Sequence, residues 1–206
     1  KQENIYFHFT LIPDKDTGSI KLLNYKDNPS LKYRHDWLTC FEPENHLDNL
    51  TEILFDNFSP EKCMNIYGYS FKDNSTLERI KNFSKLKKQK HVIKNSSQID
   101  LPVDGVCLNN LLNYTNEINF QKISDSHGKA DLLIVRHVLE HSWNIDTFLD
   151  AIKVLVSKNG YIVFEIPDSE KGFRTGMQTL LWEEHAYYFT EESFKKTLKF
   201  YGFEVQ

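Results

Sequence analysis

The pattern of hydrophobic and polar positions is clearest between Asp131 and Pro167. Residues 132–135 form an unbroken apolar run, which is typical of a parallel strand covered on both faces. A helix is predicted next, capped by Asn144 or Asp146, because apolar side chains recur at helical spacing in Phe148, Leu149, Ile152, Leu155 and Val156. Gly160 is predicted to end this helix in a left-handed conformation, and residues 161–166 return as a second strand. This stretch therefore predicts a strand–helix–strand unit.

Predicted strands and helices alternate over the rest of the chain from residue 62 onward. Strands are predicted at residues 63–67, 91–94 and 103–108, and a helix at 76–86 with Ser75 as its cap. Residues 111–123 fit either a helix or a loop. A helix at 191–201, capped by Thr190, and a strand at 203–206 close the chain. This alternation of strands and helices predicts an α/β fold. We expect a Rossmann-like, doubly wound, mostly parallel sheet with helices on both faces.

The first 58 residues have a different pattern, which predicts a small N-terminal extension. Apolar runs at residues 5–12 and 19–23 flank an Asp- and Gly-rich turn, so they indicate a hairpin. The turn lacks the later ligands of a calcium loop, and a plain turn is the better interpretation. Residues 36–58 carry a helical pattern. We expect an extension at residues 1–58 and a Rossmann-like domain at 59–206 that is truncated at its C-terminus.

Composition limits the kinds of partner that this chain is expected to bind. A chain of 206 residues with 40% hydrophobic and 26% charged residues is ordinary for a soluble globular protein. A net charge of −4 gives no reason to expect nucleic acid as a partner, and no apolar run is long enough to cross a bilayer. The three cysteines, Cys40, Cys63 and Cys107, are far apart and form no CxxC pair. We therefore predict no cysteine zinc site, no other metal and a cytoplasmic location.

Two polar clusters lie where predicted strands end. In the first, the loop after residue 66 contains Gly68 and Ser70, and small residues let backbone N–H groups approach a negatively charged ligand. An ordinary turn explains this loop equally well. The second is Arg136-His-Val-Leu-Glu-His141, which offers a guanidinium for a carboxylate and groups that transfer a proton, unless it is only a charged surface turn. Because ligands bind at the carboxyl ends of parallel strands, residues 136–141 and 165–168 are expected to flank one crevice.

A third cluster lies at residues 180–189, where two carboxylates and a histidine stand among aromatic residues. Such a segment can form a polar site with apolar walls. A histidine beside a carboxylate can be held in one tautomer and raised in basicity, as a general base requires. The alternative is a buried segment whose aromatic side chains belong to the core. That alternative fits the aromatic residues better than it fits Glu183, Glu184 and His185.

Taken in order, the motifs RHVLEH, NGYIVFEIPD, WEEHAYYFTEESF and GFEV resemble class I S-adenosylmethionine-dependent methyltransferases. They look most like the branch that C-methylates nucleotide-linked keto-sugars in glycan or natural-product biosynthesis. The resemblance implies a small molecule as partner and S-adenosyl-L-methionine as cofactor. It also implies a cofactor-binding set of Tyr67, Gly68, Tyr69, Ser70, Lys94, Asn109, Arg136, His137 and Val138. It also implies a catalytic set of His185, Glu184 and Glu183, in which His185 removes a proton next to a ketone and the resulting enolate attacks the sulfonium methyl.

The chain departs from the motifs of that branch at four places. The cofactor loop reads Asn65-Ile-Tyr-Gly-Tyr-Ser70, with one glycine and no leading acid. Lys94 or Asn95 occupies the expected place of the ribose-binding acid, Trp182 stands for a tyrosine, and residues 1–50 carry no cysteine-rich zinc module. Two alternatives follow: a degenerate methyltransferase fold that serves as a binding or scaffold module, and a methyltransferase that acts on an O- or N-nucleophile.

Overall fold

The computed structural model describes residues 8–23, 38, 43–57, 64–87, 93–182 and 184–206. The chain forms two compact units. The larger unit comprises residues 34–138 and 145–165, and the smaller one comprises residues 1–33, 139–144 and 166–206. The predicted boundary at residue 58 falls outside the described ranges and stays a prediction.

The described residues form strands and helices that, in chain order, are β1 (Leu11–Pro13), β2 (Ile20–Leu22), α1 (His46–Asn57), β3 (Met64–Gly68), α2 (Asn74–Leu86), β4 (Ile93–Gln98), α3 (Leu108–Tyr114), α4 (Glu117–His127), β5 (Ala130–Arg136), α5 (Ile145–Leu155), β6 (Val156–Glu165), α6 (Glu170–Thr175), β7 (Tyr187–Tyr188) and α7 (Glu191–Phe200). Among these helices none is long and apolar enough to cross a membrane.

The larger unit is built on a parallel four-stranded sheet in the order β4-β3-β5-β6. The chain moves from β3 outward to β4, then returns to β5 on the other side of β3. The carboxyl ends of β3 and β5 are therefore neighbours at the point where the strand order reverses, and Gly68 pairs there with Ile134. In open α/β sheets this switch point is the usual place for a ligand. The predicted Rossmann-like α/β fold is confirmed.

Both faces of this sheet are covered by helices. Leu132 and Ile134 on β5 belong to one core cluster with side chains of α1 and α2, among them Leu54, Phe55, Leu77 and Ile80. Leu133 and Val135 point to the opposite face because side chains alternate along a strand, and they are fully buried as well. Burial on both faces explains why the β5 segment is continuously apolar.

Several predicted element boundaries are wrong, each for a local reason. Gly160 does not end a helix: it lies inside β6, and a Cβ atom there would come within 2.9 Å of the Ala130 carbonyl oxygen. Residues 103–108 contain a turn and the start of α3, not a strand. Ser75 does not cap α2, which begins at Asn74; its hydroxyl donates to Glu44 Oε1 at 2.8 Å.

Further boundaries shift or resolve. Residues 111–123 are helical, divided between α3 and α4. The weak strand predicted at 91–94 is β4, which extends to Gln98. The strand predicted at 203–206 is wrong, because Gly202 turns left-handed at φ 83° and the Phe203 amide donates to the Leu198 carbonyl at the end of α7.

The smaller unit contains a three-stranded antiparallel sheet in the order β1-β2-β7. The predicted hairpin is confirmed in its described part, and its turn is closed by Asp14 Oδ1, which accepts from the Thr17 amide at 2.9 Å. The predicted cap of α7 is confirmed too. Thr190 Oγ1 accepts from the Ser193 amide, and Ser193 Oγ accepts from the Thr190 amide, so the two residues satisfy each other's end groups.

Candidate functional site

The loop after β3 is held tightly against its surroundings. A Cβ atom at Gly68 would lie 2.8 Å from Asp73 Cβ and 3.0 Å from Leu77 Cδ1, so only glycine fits there. The three amides that follow all donate within the protein: Tyr69 to the Ile134 carbonyl, Ser70 to Asp73 Oδ2 and Phe71 to the Gly105 carbonyl. The backbone amides that were predicted to approach a ligand therefore donate to acceptors within the protein. The loop contributes a fixed shape at the switch point.

Asp73 joins the ends of the two central strands. Its Oδ2 accepts from the Ser70 amide at 2.7 Å, and its Oδ1 accepts from the Arg136 amide at 3.0 Å. The carboxyl is fully buried, and this burial raises its pKa to about 7 despite the hydrogen bonds that it accepts. Asp73 is not among the residues predicted from the sequence, although the spacing Ser70-x-x-Asp73 is that of a capping box.

Arg136 lies fully buried at the end of β5 and is shared between two carboxylates. Its Nε donates to Glu165 Oε2 at 2.6 Å, and its Nη1 donates to Glu44 Oε1 at 3.0 Å. Nη1 also reaches the Lys72 carbonyl at 2.9 Å and Ser75 Oγ at 3.1 Å. These bonds raise the pKa of Arg136 against the lowering effect of burial. The guanidinium thus ties three segments together at the carboxyl edge of the sheet.

His137 follows directly in a left-handed conformation with φ 53°. Among the described residues other than glycine, it alone has a positive φ. Its amide donates to the Glu165 carbonyl at 2.8 Å and its Nε2 donates to Glu165 Oε1 at 2.9 Å. His46 Nε2 donates to the same oxygen at 3.1 Å. A strained residue held by two bonds is typical of functional sites. Of the predicted crevice, the structure brings together Arg136, His137 and Glu165.

Glu165 makes the stability of its contacts with Arg136 and His137 depend on pH. Burial acts to raise its pKa, but hydrogen bonds from His137 and Arg136 outweigh burial and hold the pKa well below its usual value of 4.5. The stabilisation is therefore complete above about pH 4.5 and is lost as the pH falls below it. We expect Glu165→Gln to flatten the acid side of a curve of unfolding free energy against pH, measured with urea. An acid side as steep as that of the native chain would contradict this assignment.

The remaining predicted cofactor residues are dispersed. Lys94 is not brought to the loop: it lies at the amino end of β4, whereas Gln98 is the residue opposite Gly68. The physical reason is that β4 continues four residues beyond the predicted strand end. Ile99 follows and donates its amide to the Gly68 carbonyl at 2.9 Å, which places the exposed Asp100 next in the chain. Asp100 was missed because the strand end was misplaced.

The other predicted positions have structural roles or a separate location. Tyr67 donates its hydroxyl to the His127 carbonyl at 2.8 Å, and Tyr69 bonds Thr115 Oγ1 at 2.6 Å between aromatic rings of α4 and α5. Val138 is fully buried. Asn109 is half-buried near the start of α3.

A second cluster lies wholly within the smaller unit. His185 and Glu184 are buried there together with Glu140 and His141, which form a short 3₁₀ turn with Leu139. The His141 and His185 rings meet edge to face with centroids 4.7 Å apart. His141 Nδ1 lies 2.7 Å from the Glu184 carbonyl oxygen, and because a carbonyl only accepts, Nδ1 carries a proton. Glu183 lies outside the described residues.

The backbone around His185 is fixed by Trp182 and Tyr188. The His185 amide donates to the Trp182 carbonyl at 3.0 Å. The Tyr188 hydroxyl donates to the same carbonyl at 2.8 Å and accepts from the Trp182 amide at 2.9 Å. The rings of Trp182 and Tyr188 also contact the His185 imidazole. His185 is thus held between the aromatic rings of Trp182 and Tyr188.

Comparison with protein families identifies a domain in this chain. A family model described as a methyltransferase domain matches residues 50–206, which is well over half of the chain. Domains of this description typically use S-adenosylmethionine as methyl donor. No curated protein matches the sequence.

Proposed function

This chain belongs to the methyltransferase domain family, and on that premise we propose that it is an S-adenosylmethionine-dependent enzyme that methylates a small polar acceptor. We further propose that the acceptor is a nucleotide-linked keto-sugar and that methylation occurs on carbon. The observation that carries this proposal is the buried His185, held by the Trp182 carbonyl beside Glu140 and His141. Methylation of carbon needs a positioned base, which transfer to many O- and N-nucleophiles does not.

The carboxyl edge of the larger unit fits the cofactor. The rigid loop at Gly68 lies at the switch point of the sheet, and the Ile99 amide ties the end of β4 to that loop. Asp100 then supplies an exposed carboxylate, which can accept hydrogen bonds from two vicinal ribose hydroxyls. We assign this role to Asp100 in place of Lys94 or Asn95. When bound, the cofactor supplies an electrophilic methyl group on a sulfonium.

Arg136 has a positioning role in this proposal. Two carboxylates and a backbone carbonyl already accept from its guanidinium, which is fully buried. It therefore holds the end of β5 and the strained His137 in place. We do not assign it a direct bond to the cofactor carboxylate.

His185 carries the acid–base step. Its neutral imidazole takes the proton from the carbon next to the ketone, and the electron pair of that C–H bond forms the enolate. The enolate carbon accepts the methyl group as the C–S bond breaks and its electron pair stays on the departing sulfur. The imidazolium afterwards releases its proton to water. A Glu140 oxygen lies within 4.8 Å of a ring nitrogen of His185, next to the place where the proton is taken up.

Deuterium exchange tests the carbon-acid chemistry without turnover. We expect the native protein to exchange the proton next to the ketone of a nucleotide-linked keto-sugar in deuterated water, followed by NMR. Methyl transfer to an acceptor without any such exchange would instead favour an O- or N-nucleophile.

A binding or scaffold module is the second candidate, and one observation favours it. The amides of residues 69–71, which follow Gly68, all bond protein acceptors. A chain that has lost cofactor binding would tolerate this arrangement. The retained cluster around His185 favours the enzyme.

A further inference from the structure

The cluster in the smaller unit has the composition of a metal site. Glu140, His141 and His185 each offer one ligand atom, and these three atoms lie within 4.8 Å of one another. Their residues are 2%, 0% and 8% exposed, so the atoms are shielded from water. Two imidazole nitrogens and one carboxylate oxygen are the protein ligands of many mononuclear zinc and iron sites.

His141 is oriented as a metal ligand would be. Its Nδ1–H donates to the Glu184 carbonyl at 2.7 Å, which fixes the ring and leaves Nε2 as the nitrogen with a lone pair. This Nε2 lies 3.9 Å from Glu140 Oε1. Metal-binding histidines regularly donate their other ring N–H to a carbonyl or carboxylate, and that bond sets both the tautomer and the ring plane.

The three ligand atoms are close enough to meet on one divalent cation after a local movement of the side chains. In the tetrahedral geometry of zinc, ligand bonds of about 2.0–2.2 Å place the ligand atoms roughly 3.4 Å apart. The present separation of up to 4.8 Å therefore has to close by at most roughly 1.4 Å, which side-chain rotation can supply. Coordination of a cation also compensates the burial of the Glu140 carboxyl group.

We propose that Glu140, His141 and His185 bind one divalent transition-metal cation, of which zinc matches the ligand set best. The sequence prediction of no metal considered only the cysteines. A cation bound here takes the lone pair with which His185 would accept a proton. Metal occupancy and proton abstraction then exclude one another, so the cation inhibits the enzyme. The inhibition rests on the proposed function, whereas the binding does not.

Crystals of the native protein grown or soaked with Zn²⁺ test the binding directly. An anomalous difference map at the zinc edge is expected to show one peak bounded by the three side chains. In solution, Co²⁺ is expected to bind with one-to-one stoichiometry and to give visible absorption bands. Absence of a peak between these side chains, at saturating Zn²⁺, would overturn the proposal.

Two variants locate the site in solution. Glu140→Gln and His141→Asn each remove one ligand, so each is expected to weaken Co²⁺ binding by more than the roughly 10- to 100-fold that loss of an outer partner costs. The exposed His127→Ala serves as the matched control and is expected to leave binding unchanged. Native affinity in both ligand variants would place the ion elsewhere and contradict the assignment.

Deuterium exchange separates the two parts of the inference. Stoichiometric Zn²⁺ is expected to stop the exchange, and a chelator to restore it. Exchange that continues in the zinc-loaded protein would overturn the exclusion alone. If the metal-free protein exchanges no proton, the proposed function fails, and the metal site still stands on its diffraction peak.

Discussion

Replacing His185 with alanine is expected to lower the rate of deuterium exchange in the keto-sugar by about 10²- to 10⁴-fold, the usual contribution of a positioned general base. The imidazole is buried, its backbone is fixed to Trp182, and a Glu140 oxygen lies within 4.8 Å of one of its ring nitrogens. Alanine removes the base and leaves the loop, since the bonds from Tyr188 to Trp182 do not involve the His185 side chain. NMR of metal-free protein measures the rate.

Two controls make this result specific. The exposed His127→Ala is expected to exchange at the native rate. The His185→Ala protein is expected to keep the native calorimetric affinity for S-adenosylmethionine, because the cofactor residues assigned above all lie in the larger unit. Native exchange in His185→Ala would show that another group is the base.

Arg136→Met is expected to lower the free energy of unfolding by about 3–5 kcal/mol, the usual cost of removing one partner from a buried ion cluster. Methionine fills a similar volume but leaves the Glu44 and Glu165 carboxylates without the charge that both now contact. Urea denaturation followed by circular dichroism measures the change. Adding Glu165→Gln to this variant is expected to restore part of the loss, because one orphaned charge is removed.

Arg79→Met is the matched control. Arg79 also bonds Glu44, at 3.2 Å, and Asp48, at 2.9 Å, but its side chain is 28% exposed. Exposed ion pairs contribute about 0–1 kcal/mol, so this change is expected to cost far less. Equal losses in the two variants would contradict the assignment of Arg136 as the buried centre of the cluster.

The sheet was predictable because a strand buried on both faces has a continuous run of apolar residues in the sequence. The continuous apolar run of β5 requires helices on each side, and it was identified correctly. Gly160 shows the limit of such patterns. Lys-Asn-Gly after an apolar helix is typical of a helix end, yet here glycine is needed because the Ala130 carbonyl of β5 approaches β6 closely. That contact is between strands, and no local pattern encodes it.

Candidate residues that are close in sequence could be singled out from the sequence. Arg136 and His137 stand at a strand end, and Glu184 and His185 stand together, so each pair forms a local polar cluster. Glu44 lies 92 residues from Arg136, and no local pattern in the sequence indicates that the two side chains form a pair. Asp100 depended on where β4 ends, which a strand with mostly polar residues does not reveal.

The central claim is that this chain binds S-adenosylmethionine at the carboxyl edge of the parallel sheet. Isothermal titration calorimetry of the native protein with S-adenosylmethionine tests it most directly, with Asp100→Asn as the paired variant. We predict one-to-one binding that Asp100→Asn weakens by about 10- to 100-fold, the value of hydrogen bonds to a charged group. No detectable heat of binding at millimolar cofactor with folded protein would contradict the claim and favour the scaffold.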